Sequence, residues 1–218
     1  MQNKNYFITI GRQFGAGGVT VGRNLARRFG IPFYDKQILS LASKESGISR
    51  EFFERNDESP AGVKARSFLG INLNSISISD FFSASIVDDS ELFRIQSDAV
   101  RNAAAFGSAI FVGRCADYIL RNEKRCLNVF ISADMSDRIG RIRSDKRIKD
   151  ADTKSDEEIK ELLFKADKKR ANYYDYYSFR KWGAARNYDL CVSSSKFGIE
   201  GCVEIISRIV ETRFNVNI

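Results

Sequence analysis

Apolar and polar positions along the chain fall into short continuous apolar runs separated by stretches of helical period. That alternation predicts a parallel sheet covered by helices. Tyr6-Phe7-Ile8-Thr9-Ile10 is the first β-rich run, ended by Gly11. Beyond a glycine-rich turn, Val21, Leu25, Ala26 and Phe29 recur at helical spacing, with Arg23, Arg27 and Arg28 on other positions. Gly30 suits the left-handed end of that helix, and Pro32 stops its continuation. Ile31, Phe33 and Tyr34 form a second brief strand ending at Asp35. Strand, glycine loop, helix and strand in this order make a βαβ unit. Its strands belong to a parallel sheet with helices on both faces.

Residues 36–106 contain no strong buried strand and read as a helical insertion. Ile38, Leu39, Leu41 and Ala42 predict one helix, and residues 51–54 open or continue another. Residues 67–85, with Ile71, Leu73, Ile76 and Ile78 among serines and asparagines, read as mobile or irregular. A long helix over 90–106 puts Leu92, Ile95, Ala99, Ala103 and Phe106 on one face. Strands resume at Ala109-Ile110-Phe111-Val112, closed by Gly113-Arg114, at Leu127-Asn128-Val129-Phe130-Ile131 and at Leu190-Cys191-Val192. Between the last two lie a basic helix over 136–149 and a charged segment over 151–171. Residues 199–214 form an amphipathic helix over the sheet. The expectation is one α/β domain over residues 1–218 with a five-stranded parallel sheet.

Composition narrows the chemistry. The 218 residues include no histidine, which excludes Ser-His-Asp and Cys-His nucleophile pairs and imidazole-dependent zinc sites. Chemistry that positions and neutralises phosphates gains weight accordingly. The net charge is +7, and it is local: residues 121–186 hold 18 Lys/Arg against 12 Asp/Glu, while residues 36–90 hold 6 against 8. Such an excess suits a phosphorylated small molecule or nucleic acid, or simply a solvated helix face. No nucleic-acid reading motif accompanies it, so nucleic acid is the weakest of these partners. Cys115, Cys126, Cys191 and Cys202 form neither a CxxC pair nor a disulfide framework. With no signal-peptide core and no apolar run long enough to span a bilayer, a soluble, cytoplasmic setting is expected.

The loop Gly15-Ala16-Gly17-Gly18-Val19-Thr20 carries the strongest functional signal. A loop that leaves a strand and opens a helix aims backbone N–H groups and a helix dipole at one point, which favours phosphate. Glycines permit positive φ and close approach of the anion. The pattern GxxxxGK[ST] is not met: aligned on Gly17, its first glycine is Arg12, its lysine is Gly18 and its hydroxyl residue is Val19. Thr20 could still offer a hydroxyl to Mg²⁺. Arg12, beside the loop, could supply the missing cation, or could be an ordinary surface arginine. The same residues approximate the dinucleotide pattern GxGxxG, with Asp35 placed as a ribose-binding acid, but Thr20 stands where the third glycine belongs. An NAD-binding oxidoreductase is therefore a lesser alternative.

Several further stretches carry a family resemblance. They are Ile8 to Gly18, Gly30-Ile31-Pro32-Phe33-Tyr34-Asp35-Lys36, Val112-Gly113-Arg114-Cys115-Ala116-Asp117-Tyr118, Lys169-Arg170-Ala171-Asn172-Tyr173-Tyr174, Trp182-Gly183 and Tyr188-Asp189-Leu190-Cys191. Together they resemble the nucleoside monophosphate kinases, and within them the cytidylate kinase-like family, over nearly the whole chain. The resemblance implies a three-layer P-loop kinase fold with a helical acceptor-binding insertion at 36–106 and a short lid at about 145–174. It implies ATP and Mg²⁺ as cofactors, and transfer of a phosphoryl group to a nucleoside monophosphate or other small phosphorylated acceptor. Gly15, Ala16, Gly17, Gly18, Val19 and Thr20 would hold ATP phosphates, with Thr20 at the metal. Arg114 would grip the acceptor phosphate as a planar fork, with Asp35 and Asp117 nearby. Arg12, Arg170 and Arg180 would stabilise the transferring group. Tyr173, Tyr174, Tyr176 and Tyr177 would pack the lid on the core. Gly18 and Val112 stand where the family's active kinases carry a lysine and an acid, so a catalytically weak nucleotide-binding or regulatory protein is the alternative.

Overall fold

The computed structural model describes residues 5–35, 89–148 and 150–216. Five strands form one sheet: β1 (Phe7–Arg12), β2 (Phe33–Tyr34), β3 (Ala109–Val112), β4 (Cys126–Ser132) and β5 (Leu190–Ser193). The order is β2-β3-β1-β4-β5, with every pair parallel. The described helices are α1 (Gly18–Phe29), α2 (Asp89–Phe106), α3 (Ala116–Ile119), α4 (Met135–Arg143), α5 (Asp156–Ser178) and α6 (Ser194–Phe214). The helices expected near 38–42 and 51–54, and the irregular stretch 67–85, lie outside the described residues.

The apolar strands β1, β3 and β4 are buried on both faces. Ile8, Ile10, Ile110, Val112, Leu127, Val129 and Ile131 pack with Val21 and Leu25 of α1 and Val203 and Ile206 of α6. Phe7, Phe111 and Cys126 turn the other way, toward Ala99, Val100 and Ala103 of α2 and Ile119 of α3. Burying Val21 and Leu25, both at 0% exposure, stabilises the α1 contact by about 1.5–3 kcal/mol each. Gly30 ends α1 in the left-handed conformation (φ 61°) and returns its N–H to the Ala26 carbonyl, as its position predicts.

Three local expectations are corrected. β1 does not stop at Gly11: its pairing with β4 runs on through Gly11 and Arg12, so Arg12 belongs to the strand end. A side chain at Gly11 would bring its Cβ within 2.9 Å of Phe130 Cδ2, and glycine allows the strand to continue there. Phe106 is 90% exposed instead of sharing the buried face of α2. The buried stripe of that helix pairs Ile95 with Gln96, Ala99 with Val100 and Ala103 with Ala104; its next step is residue 107, which leaves Phe106 on the outer side. The basic helix ends at Arg143 instead of near 149, and residues 144–148 form turns that include hydrogen bonds between Arg147 and Asp145.

The charged segment after it becomes α5, 23 residues long and opened by a capping box. Ser155 Oγ accepts the Glu158 N–H, and the Glu158 carboxylate accepts the Ser155 N–H. Ile159, Leu163 and Ala166 are buried, with Ile159 and Leu163 packed against Ile139 and Ile142 of α4. The C-terminal helix starts at Ser194, earlier than the apolar pattern indicates, and is broken at Gly198 (φ 67°, ψ 177°).

Candidate active site

Parallel strands place their C-terminal ends side by side, and the glycine loop leaves the central strand of this sheet. Gly15 (φ 78°) and Gly17 (φ 80°) both adopt the left-handed conformation open to glycine. Gly17 caps α1 without a side-chain hydrogen bond, and no acid stands in the first turn. Among the described residues, neither the cap nor a first-turn acid takes up the first-turn N–H groups, which point their dipole at the space before the helix. Gly18 is buried, Val19 packs against the core, and Thr20 is exposed at the helix start.

The loop is held from behind by residues that sequence reading missed. Arg141 donates to the Gly15 carbonyl at 3.2 Å and to Ser194 Oγ at 2.9 Å, while Ser194 Oγ donates to the Ala16 carbonyl at 2.8 Å. Gln13 ties the loop to β4, donating its N–H to the Ile131 carbonyl and accepting the Ala133 N–H. Arg138 and Asp167 enclose the peptide of Phe14, one from α4 and the other from α5. No sequence signal marks these residues, because each acts only through its tertiary neighbours.

In front of the loop, three guanidinium groups converge. Arg12 comes from the end of β1, Arg114 from the turn after β3, and Arg170 from α5. Arg170 Nη1 donates to the Arg12 carbonyl at 3.1 Å, and its guanidinium lies 5.1 Å from the Phe14 ring centroid. Arg114 lies 5.5 Å from the Tyr173 ring centroid. The turn that aims it is strained: Gly113, Arg114 and Cys115 have φ of 82°, 57° and 54°. Two consecutive non-glycine residues in that region cost about 1–2 kcal/mol each, a cost that clusters at functional sites.

Burial pushes the Arg12 guanidinium well below the usual arginine range, and the charges of Arg170 and Arg114 push it further. Asp35 and Asp167 oppose the shift. Arg170 is lowered to about 10, chiefly by burial, with Arg114 and Arg138 adding repulsion and Asp167 countering it. Arg170 at about 10 stays protonated at neutral pH, and the repulsion among the three guanidinium groups is a cost that a bound anion would relieve. The Nε of Arg12 is buried with no hydrogen-bond partner among the described residues.

The other expected residues take different positions. Asp35 follows β2 directly as a buried carboxylate, 3.8 Å from Arg23 and close enough to Arg12 to raise its pKa. Asp117 is buried in α3 and accepts the Tyr174 hydroxyl at 2.6 Å. Arg180 is exposed, 5.9 Å from the Tyr118 ring centroid, and its charge acts on Asp117. Of the four tyrosines, Tyr174 is buried, Tyr173 donates to Gln96 Oε1 of α2 at 2.9 Å, and Tyr177 stacks on Phe93 with centroids 4.1 Å apart. Tyr176 is 70% exposed.

One hydroxyl, one carboxylate, phosphate oxygens and water suffice for Mg²⁺. The exposed Thr20 hydroxyl and the Asp35 carboxylate are donors of that type, and the Asp117 carboxylate accepts the Tyr174 hydroxyl. Among the described residues, no helix is long and apolar enough to cross a membrane, and no group of three or more His, Cys, Asp and Glu side chains forms a metal cluster.

A 2-3-1-4-5 parallel sheet whose first strand feeds a glycine loop and helix is the fold of P-loop kinases. It differs from the 3-2-1-4-5-6 order of dinucleotide-binding sheets, because β3 lies between β1 and β2. Within that class, the chain belongs to the cytidylate kinase-like family, whose model matches residues 7–196. It is 24% identical over 207 residues to a cytidylate kinase of Methanococcus vannielii, covering 94% of this chain and 99% of the relative. An uncharacterized protein from Eubacterium ventriosum has a similar crystal structure: TM-score 0.67, 23% identity, 95% of this chain and 99% of that one. A shikimate kinase from Bacteroides thetaiotaomicron shares the fold at TM-score 0.53 and 16% identity, over 94% and 98% of the two chains.

Proposed function

We propose that this protein transfers the γ-phosphoryl group of ATP to a nucleoside monophosphate or another small phosphorylated acceptor. The observation that carries the reading is the convergence of Arg12, Arg114 and Arg170 in front of a glycine loop, with the buried Arg12 Nε unpartnered among the described residues. An oxygen of the acceptor phosphate bonds to the γ-phosphorus while the bond from that phosphorus to the β–γ bridging oxygen breaks, and ADP leaves. Such chemistry needs positioned cations and exclusion of water, and no histidine.

Backbone N–H groups of Gly15 to Thr20 would cradle the β- and γ-phosphates. Thr20 and Asp35 would hold Mg²⁺, which supplies charge neutralisation on those phosphates when bound. Arg114 would grip the acceptor phosphate, with residues 36–106 enclosing the acceptor. Arg12 and Arg170 would balance the charge of the group in transit. Residues 145–174 would form the lid, with Arg180 at its far end beside Tyr118 and Asp117. A screen of common nucleoside monophosphates with ATP and Mg²⁺, read by coupled ADP release, tests this proposal. Turnover with at least one acceptor is expected, and ATP binding with no turnover on any would defeat it.

Gly18 and Val112 favour a second reading, a kinase-fold protein that binds nucleotide without efficient turnover. The same screen separates the two.

A further inference from the structure

We infer that Arg12, Gly18 and Gly113 form one interlocked unit, in which Arg12 fills the room a lysine at position 18 would need and supplies a cation in its stead. The inference rests on the phosphate-binding reading of the loop and extends it to why this loop lacks a lysine. A Cβ added at Gly18 would lie 2.7 Å from Arg12 Cβ and 2.8 Å from Arg12 Cγ. Atoms of real side chains do not approach so closely, and these two belong to the root of Arg12, so rotating its far end does not relieve them. At the other end of the same side chain, a Cβ at Gly113 would fall on Arg12 Nη1. Arg12 therefore runs from the first turn of α1, across the front of the sheet, to the end of β3. Neither glycine can gain a side chain while it does so.

This path gives Arg12 a different duty from that of a loop lysine. Its head lies over the residue that precedes Arg114, so the cation stands toward the acceptor side of the site. Its Nε is buried without a partner among the described residues, a group left to be satisfied by a ligand. A lysine at position 18 and an arginine at position 12 exclude one another, so the loop's departures from GxxxxGK[ST] at positions 12 and 18 share a single steric reason.

The test is a pair of double-mutant cycles. ATP binding with Mg²⁺ is measured by calorimetry for the wild type, Arg12→Ala, Gly18→Lys and the double variant. Each single variant should weaken binding by about tenfold or more, the scale for losing one charged hydrogen-bonding group. The double variant should recover most of that loss, because removing Arg12 frees the room for lysine. Wild-type affinity in Gly18→Lys, or a double variant no tighter than the singles, overturns the interlock. A second cycle needs no ligand. Gly18→Ala should lower the thermal midpoint by several degrees beside Arg12 and should not lower it in the Arg12→Ala background, where alanine is the better helix former. Equal shifts in both backgrounds also overturn the interlock. If the wild type binds no ATP, the kinase reading fails, while the thermal cycle still decides the steric one.

Discussion

Arg138 and Asp167 clasp the peptide of Phe14 between them. Asp167 Oδ1 accepts its N–H at 2.7 Å, Arg138 Nε donates to its carbonyl at 2.7 Å, and the two side chains are themselves ion-paired. One residue is on α4 and the other on α5, so the loop is held by the two helices that connect β4 to β5. Arg170, one turn beyond Asp167, reaches the carbonyl of Arg12.

Breaking this clasp should cost stability and loop order together. Both side chains are largely buried, at 4% and 13% exposure, and removing one partner of such a pair costs about 3–5 kcal/mol. Arg138→Ala is expected to lower the unfolding free energy read from urea titration by an amount in that range, with a correspondingly lower midpoint, and the folded variant should bind ATP more weakly. Asp167→Asn keeps the shape and loses the charge, so it should show the same direction with a smaller loss. An unchanged midpoint in Arg138→Ala would show that the loop is held by other contacts.

Arg114 should display opposite effects on stability and function. Its φ of 57° suits glycine, so Arg114→Gly relieves backbone strain of about 1–2 kcal/mol. The same change removes the cation assigned to the acceptor phosphate. Urea unfolding should show a variant at least as stable as Arg114→Ala, and kinetics should show both with a raised KM for the acceptor and ATP affinity little altered. Acceptor KM at the wild-type value in both variants would refute the assignment. Arg114→Lys should not restore KM, because a point charge cannot hold two oxygens as a planar fork does.

Asp117 predicts a pH dependence of stability. Burial raises its pKa above the ordinary carboxylate value, against the opposing hydrogen bond from Tyr174 and the charge of Arg180. A carboxyl raised in the folded state binds more protons there than in the unfolded chain, so stability falls as pH rises. The window runs from the ordinary value of 3.8 up to the raised folded one. Asp117→Asn should remove this contribution while its amide oxygen still accepts the Tyr174 hydroxyl. The difference in unfolding free energy, variant minus wild type, should therefore rise with pH across that window. A difference that is flat or falls would mean that the hydrogen bond outweighs burial.

Legibility in the sequence followed the range of the interactions. The strands appeared as apolar runs because burial of β1, β3 and β4 on both faces leaves few polar positions, Thr9 and Asn128 being bonded to one another, and α1 appeared through Val21, Leu25 and Ala26 and through Gly30. The capping box Ser155–Glu158 was an available start signal for α5, obscured by the surrounding charge. Phe106 went astray because a period of four read as i+3 at the helix end places it on the wrong side. Within the site, the glycine loop was visible because its needs are local, positive φ and small volume.

By itself the sequence determined the α/β class, the five strands, the loop and the absence of histidine, each dictated by residue type and short-range periodicity. Only the tertiary structure decided that Arg12 belongs to the strand, that Arg12, Arg114 and Arg170 meet while Arg180 faces Tyr118 and Asp117, and that Arg138, Asp167, Arg141 and Ser194 hold the loop. Those partners stand up to 178 positions apart along the chain. Their meeting is set by which strand ends lie side by side, and no local pattern of residues encodes that adjacency.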